Sequence, residues 1–107
     1  MGFVGQVWRL ERSGEPLGEI LVDEAEFPWL RGRFRPGPAF AEVAPWFARS
    51  LAVLDAGEYG RFDEEYAPIA ATLTLRSPTG PAAEFLLHIE DDRAWFRWST
   101  HPPTPRA

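Results

Sequence analysis

The chain has 107 residues, which suits one domain, and 45% of them are hydrophobic, which is enough to form one buried core. Its formal net charge of -5 disfavours binding to nucleic acid, because phosphate backbones repel an acidic protein. It contains no cysteine, which excludes disulfides, thiolate metal sites and cysteine nucleophiles. There is neither a signal-peptide pattern nor an apolar run near the ~20 residues of a membrane span. We therefore predict a cytoplasmic protein that does not enter a membrane.

The first part of the chain predicts a β-hairpin. Apolar residues alternate on one face of each of two strands: Val4, Trp8, Leu10 in the first, and Ile20, Val22 in the second. Ser13-Gly14-Glu15 is the predicted turn between them. In this register Arg9 faces Glu19 across the strands.

A third strand is predicted from Trp29 to Arg35, after Pro28. Its Leu30 and Phe34 point one way, and three arginines point the other way: Arg31, Arg33, Arg35. Three forked guanidinium groups on one face could grip a carboxylate or a phosphate. The alternative is an edge strand whose charges prevent pairing with another protein.

The middle of the chain is predicted to be helical. An apolar stripe recurs every three or four residues: Phe40, Val43, Phe47, Leu51, Leu54. Because Pro45 does not suit a helix interior, either the helix kinks there or an irregular turn precedes a helix that starts at Pro45. A second, short helix is expected near Asp63 to Ala70, with Asp63 as its cap and Pro68 limiting its length.

The C-terminal part predicts a three-stranded meander from about Thr72 to Ser99. Its first hairpin turns at Pro78-Thr79-Gly80 and pairs Leu75 with Ala83. Its second hairpin turns at Asp91-Asp92, and this register pairs apolar with apolar residues: Ile89 with Ala94, Leu87 with Phe96, Phe85 with Trp98.

These elements predict an α+β fold. We expect an antiparallel sheet of five to six strands, made of the N-terminal hairpin and the C-terminal meander, with one or two helices packed on one face. Residues 1–100 form a single domain in this prediction, and residues 101–107 form a proline-rich flexible tail.

The sequence shows no catalytic set, and we predict no cofactor and no metal site. His88 shares a strand face with Glu84 and Glu90, a spacing that could orient an imidazole or supply metal ligands. The alternative is a solvated strand face with cross-strand charge pairs.

The sheet face opposite the core mixes apolar with charged residues, as protein interfaces do. Trp95 lies there beside Val7, Leu21 and Leu86, with Arg97 among the charged residues around them. A symmetric homodimer, or another protein partner, could cover this face. A loop such as Pro28 to Pro38 could also cover it.

Four segments of the chain together form a distinctive pattern: Phe27-Pro28-Trp29-Leu30-Arg31-Gly32-Arg33-Phe34, Pro38-Ala39-Phe40, Phe85-Leu86-Leu87-His88-Ile89 and Ala94-Trp95-Phe96-Arg97-Trp98. In this pattern, which covers most of the chain except the tail, the sequence resembles a family of small bacterial proteins of unknown function. The resemblance implies no activity, so it assigns no site residue.

From the residues, the favoured function is a non-enzymatic protein-interaction or binding module. The alternative is a small enzyme or ligand-binding domain that uses His88 with Glu84 or Glu90, or an anion site formed by the arginines of the third strand.

Overall fold

A computed structural model of the protein describes residues 2–100, so the proline-rich tail predicted at residues 101–107 lies outside the described part. Its strands are β1 (Val7–Arg12), β2 (Glu15–Glu26), β3 (Trp29–Pro36), β4 (Thr74–Ser77), β5 (Gly80–Pro81), β6 (Glu84–Glu90) and β7 (Arg93–Ser99). The helices are α1 (Ala44–Asp55) and α2 (Phe62–Thr72), each preceded by a short 3-10 helix, Pro38–Glu42 and Tyr59–Arg61. The predicted α+β class is confirmed. The described sheet has seven strands rather than five to six, because the chain around Gly80 forms its own two-residue strand.

The strands form one antiparallel sheet in the order β5-β4-β1-β2-β3-β7-β6. β5 and β6 follow each other in the chain but stand at opposite ends of this order. The Ala82 N–H donates to the Leu75 carbonyl oxygen, and the Ala83 N–H donates to the Ser99 carbonyl oxygen, both at 2.8 Å. The chain thus passes from one edge of the sheet to the other within two residues, which requires the sheet to curl until its edges meet there.

The predicted C-terminal meander is correct in its second hairpin and only partly correct in its first. β6 and β7 pair in the expected register, with Leu87 opposite Phe96, and Asp91 takes a positive φ of 55° in the tight turn. The hairpin at Pro78-Thr79 forms, but its register is shifted by one residue, with Ser77 opposite Gly80, and it ends after the two residues of β5. The chain then leaves β4, so β6 pairs with β7 and not with β4. On its other side β4 pairs with β1, where Leu75 lies opposite Leu10.

The N-terminal hairpin is confirmed, with Arg9 opposite Glu19. Its turn is tighter than predicted and consists of Ser13 and Gly14, whose φ angles of 50° and 83° are those of a type I′ turn. The pairing shifts between Leu10 and Glu11, and this irregularity lets Leu17 turn into the core.

The inner face of the sheet and the helices share one core. Its fully buried large side chains include Trp8, Phe34, Phe47, Phe96, Ile20, Ile69 and Leu87. Phe85 and Trp98, the last apolar pair of the predicted register, are only half-buried and pack against this core.

The predicted stripe of the first helix is partly wrong. Phe47 is buried, but Leu51 and Leu54 are half-buried, while Ser50 and Val53 turn inward. The reason is the 3-10 turn Pro38–Glu42, because the regular helix begins only at Ala44. This agrees with the predicted alternative of an irregular turn before the helix. A stripe counted from Phe40 therefore does not match the buried face of α1. α2 is longer than predicted because it accommodates Pro68, and Asp63 makes no side-chain cap.

α2 protects the outer edge of β6 through one hydroxyl group. The Tyr66 O–H donates to the Phe85 carbonyl oxygen at 3.1 Å and accepts from the Leu87 N–H at 2.9 Å. A neighbouring strand would occupy these same two backbone groups, which are otherwise costly to bury. Burial raises the pKa of the Tyr66 phenol, so the hydroxyl stays protonated and able to donate.

Replacing Tyr66 by phenylalanine should therefore destabilise the fold. The substitution keeps the ring and leaves a buried N–H and C=O unpaired, which costs about 1–3 kcal/mol. Chemical denaturation measures the loss. Tyr59→Phe is the control, because Tyr59 is 70% exposed and its variant should stay within about 0.5 kcal/mol of wild type. Equal stability of the two variants would contradict a role for the Tyr66 hydroxyl.

The second stability prediction uses one residue type on the two faces of the sheet. Leu87 is fully buried and Leu21 is 40% exposed. Leu87→Ala should lower the free energy of unfolding by about 2–5 kcal/mol, because it leaves a cavity in the core. Leu21→Ala should change it by less than about 1 kcal/mol. A similar loss for both variants, measured in urea, would show that the assignment of inner and outer faces is wrong.

Candidate functional site

The outer face of the sheet, which is turned away from the core, brings together residues from β3, β7 and β6. In one cross-strand row Arg31 lies beside Trp95, and Trp95 lies beside His88. Arg97 follows on β7, two residues after Trp95. Four of the six candidate residues are thus neighbours, while Arg33 and Arg35 continue along β3.

β3 is an interior strand, paired with β2 on one side and β7 on the other. The alternative of a charged edge strand is therefore wrong for Arg31 and Arg33, which have a paired strand on both sides, while Arg35 lies just beyond the residues of β3 that pair with β7. Gly32, which lies between Arg31 and Arg33, allows β2 to pack close to β3. A Cβ atom at position 32 would clash with the Leu21 carbonyl group of β2.

Arg31, Arg33 and Arg35, here called the arginine row, are exposed. Within residues 2–100, none of the three forms an ion pair with a carboxylate at 4.0 Å or less. This holds although Glu24 lies directly opposite Arg31, and Glu19 directly opposite Arg35, on β2. The arginine row is therefore available to an acidic partner.

A fourth arginine on the same face is already paired. Arg93 holds Asp23 through two hydrogen bonds, of 2.7 and 3.0 Å, in the bidentate geometry that suits guanidinium and carboxylate. This hydrogen bonding lowers the pKa of Asp23, and the charge of Arg33 adds to the effect. The contact joins β7 to β2 across β3.

His88 is enclosed by aromatic rings and is only 4% exposed. Ring centroids of Trp95, Phe62 and Trp29 lie at 5.5, 5.9 and 6.2 Å from that of His88. We call these three rings the aromatic box. They come from β7, α2 and β3, so the expected solvated strand face is wrong at His88, although Glu84 and Glu90 beside it are exposed.

The Nδ1 atom of His88 is buried and has no hydrogen-bond partner in the described part of the chain. Desolvation in the aromatic box lowers the pKa of His88, because the charged imidazolium cannot be hydrated there. With the proton on Nε2, Nδ1 carries only a lone pair, so the neutral ring fits the site better than the cation does. Among residues 2–100 no carboxylate contacts Nδ1 of His88, and the ring is shielded from solvent.

A groove of about 420 Å³ runs beside the aromatic box, at the end of β6 and β7. Its walls are Pro28, Glu84, Phe85, Leu86, Arg97, Trp98 and Ser99. The Arg97 guanidinium carbon lies 5.7 Å from the centre of the Trp29 ring, a cation–π distance. Arg97 is exposed and makes no ion pair within 4.0 Å among residues 2–100, so its charge also remains available.

The alternation of β3 predicts that Trp29 shares the face of the three arginines, but it does not predict the contact of Trp29 with His88. The roles of Phe62 and Pro28 were missed. Phe62 reaches His88 from α2, and no periodicity in the sequence connects these two residues.

Among the described residues no group of three or more histidine, aspartate or glutamate side chains is placed to hold a metal ion. Nor does any helix within residues 2–100 have the length and apolar character needed to cross a membrane.

Comparisons with protein-family models, with curated proteins and with solved structures found no match to this chain. The resemblance to a small bacterial family therefore stays a prediction.

His88 makes the stability of the protein depend on pH. Its pKa is lowered in the folded state from an ordinary value of 6.5, so the unfolded chain binds the proton more tightly. The free energy of unfolding should then fall as the pH drops below 6.5, until the folded-state pKa is passed. His88→Phe keeps an aromatic ring in the box and should remove this part of the pH dependence.

The measurement is urea denaturation of wild type and His88→Phe between neutral and mildly acidic pH. The difference between the two proteins isolates His88, because the carboxylates titrate in both. We expect the variant to gain stability relative to wild type as the pH falls. A difference that does not change with pH would show that His88 titrates alike in the folded and unfolded states.

Proposed function

We propose that the protein is a cytoplasmic, non-enzymatic interaction module that binds an acidic, extended segment of a partner protein along the arginine row. The observation that carries this proposal is the row itself. Three exposed arginines stand on one interior strand and have no ion pair at 4.0 Å or less within residues 2–100. The cysteine-free sequence agrees with a cytoplasmic location.

The spacing of the arginine row favours an extended ligand. Alternate residues of a strand lie about 7 Å apart, and an extended peptide repeats its own alternate side chains at the same interval. A segment with acidic residues at every second position could therefore meet Arg31, Arg33 and Arg35 in turn. Each guanidinium can hold one carboxylate through two hydrogen bonds.

The surroundings of the row have the composition of a binding surface. Trp95, which is half-buried, lies next to Arg31, and Arg97 lies beyond it against Trp29. Tryptophan and arginine are enriched where protein interfaces bind most tightly. The apolar part of the segment can pack on Trp95 while its carboxylates pair with the row.

A protein ligand is favoured over a nucleic acid by the charges next to the row. Three exposed acidic residues of β2 lie beside it: Asp23, Glu24, Glu26. They repel a phosphate backbone, which carries a charge on every nucleotide and cannot keep its charges away from them. A peptide with spaced carboxylates can avoid them.

The alternative of an enzyme based on His88 with Glu84 or Glu90 draws no support from the geometry. The His88 ring is inside the aromatic box, and its buried Nδ1 has no carboxylate partner among the described residues. The predicted anion site, by contrast, is part of the proposed module.

Charge reversal in the row tests the proposal. The probe is a fluorescent octapeptide of alternating glutamate and valine, and binding is followed by fluorescence anisotropy at low and high salt. Arg31→Glu with Arg33→Glu should weaken binding at least about tenfold, because two attractive contacts become repulsive. Wild-type binding should also weaken with added salt.

The matched control changes the same amount of charge elsewhere. Arg49 and Arg61 are exposed arginines near the helices, and both pair with Glu65. Arg49→Glu with Arg61→Glu should leave binding nearly unchanged. Equal losses in the two double variants would mean that only net charge matters and would contradict a site on β3. Tighter binding of single-stranded oligothymidine than of the peptide would favour nucleic acid instead.

A further inference from the structure

The strand next to the arginine row carries acidic residues in a matching arrangement. β2 presents four side chains on the outer face opposite β3: Glu19, Leu21, Glu24, Glu26. Glu24 and Glu26 are exposed and form no ion pair within 4.0 Å in the described part of the chain, and Glu19 meets Arg9 only at 3.8 Å. We call the three glutamates among them the acidic row. It has the chemistry that the proposed ligand of the arginine row requires.

We propose that the partner is a second copy of this chain, and that the two outer faces pack around a twofold axis parallel to the strands and midway between β2 and β3. This inference rests on the proposed function, because it names the acidic segment as β2 of another molecule. A twofold axis is the simplest symmetry for a surface that carries both halves of a complementary pair.

The symmetry operation determines which residues meet. Rotation about an axis along the strands exchanges the positions of β2 and β3 but keeps each residue at its level along the strand. Within one chain Glu24 is level with Arg31, and Glu19 is level with Arg35. In the dimer Glu24 therefore lies over the partner's Arg31, and Glu19 lies over the partner's Arg35.

The twofold axis repeats each of these contacts, so the two rows offer four ion pairs. Leu21, which is level with Arg33, packs against the apolar stem of the partner's Arg33. Each arginine of the pairs thus finds, on the second molecule, the carboxylate that it does not hold within its own chain.

The size of the face fits a modest dimer. One strand residue covers about 16 Å², at ~3.3 Å along the strand and ~4.8 Å between strands. β1, β2, β3 and β7 have 6, 12, 8 and 7 residues, so together they present about 500 Å² per molecule. The two molecules then bury about 1,000 Å², the lower limit for a specific interface.

Two apolar residues on this face gain from being covered. Val7 and Leu21 are paired neighbours on β1 and β2, and they are 41% and 40% exposed. Packing a second sheet over them removes apolar surface from water, while the charged rows set the register.

A charge-swap experiment tests the arrangement. The acidic variant is Arg31→Glu with Arg35→Glu, and the basic variant is Glu19→Arg with Glu24→Arg. Wild type should sediment at twice the 12.1 kDa chain mass at micromolar concentration. Each variant alone should be a monomer, since like charges then face each other, and an equal mixture of the two should recover the dimer.

Cross-linking provides a test that does not depend on charge-reversed variants. The chain has no cysteine, so Leu21→Cys and Arg33→Cys each introduce a single thiol. A size tag on one variant of each mixture distinguishes the mixed product from a variant linked to itself, which Leu21→Cys can form because both copies of residue 21 lie beside the twofold axis. A short bismaleimide should give the mixed product of Leu21→Cys with Arg33→Cys. The control mixture, Leu21→Cys with Arg49→Cys, should give no mixed product, because Arg49 lies on α1. Equal yields of the mixed product in both mixtures would overturn the proposed packing.

Failure of this inference can be distinguished from failure of the proposed function. A wild-type monomer that still binds the glutamate–valine peptide through Arg31 and Arg33 would overturn the second-copy inference and leave the interaction module standing. A monomer that binds no such peptide would overturn both. A dimer that persists in each charge variant alone would show that another surface joins the chains.

Discussion

The fold depends on how the free edge of β6 is satisfied. β5 and β6 stand at opposite ends of the sheet order although only two residues separate them, so the sheet has to curl around the core. Beyond this crossing no strand within residues 2–100 pairs with the outer edge of β6. The Tyr66 hydroxyl makes there the two kinds of hydrogen bond that a neighbouring strand would make. It donates to the Phe85 carbonyl oxygen and accepts from the Leu87 N–H. Through this contact α2 becomes part of the wall that encloses the core.

The same curl determines what the outer face offers. The large apolar residues of the inner face and of the buried side of the helices form one core. The outer face keeps the arginine row, the acidic row and Trp95. α2 also places Phe62 against His88, so the histidine is removed from solvent while Arg97 and the arginine row stay accessible. The surface is therefore suited to recognising charge and less suited to proton transfer by His88.

The arginine row and the acidic row lie side by side on neighbouring strands without forming ion pairs with each other. An arginine beside a glutamate on the next strand usually forms a cross-strand pair, yet here Arg31 and Glu24 face each other without a contact at 4.0 Å or less. Both charges remain exposed and hydrated, at little cost. A second chain in the proposed register could pair them across an interface, where water is partly excluded and ion pairs are stronger.

The sequence by itself determined the local structure that depends on alternation and on turn chemistry. Strand faces, the register across Asp91-Asp92, the pairing of Arg9 with Glu19 and the arginine row all follow from period-two patterns, which act between neighbouring residues. Only the tertiary structure decided that β4 pairs with β1, that β3 is interior, and that Phe62 and Trp29 enclose His88. These contacts join segments distant in the chain, and several apolar partners were chemically equivalent until the curl of the sheet and the packing of the helices selected one.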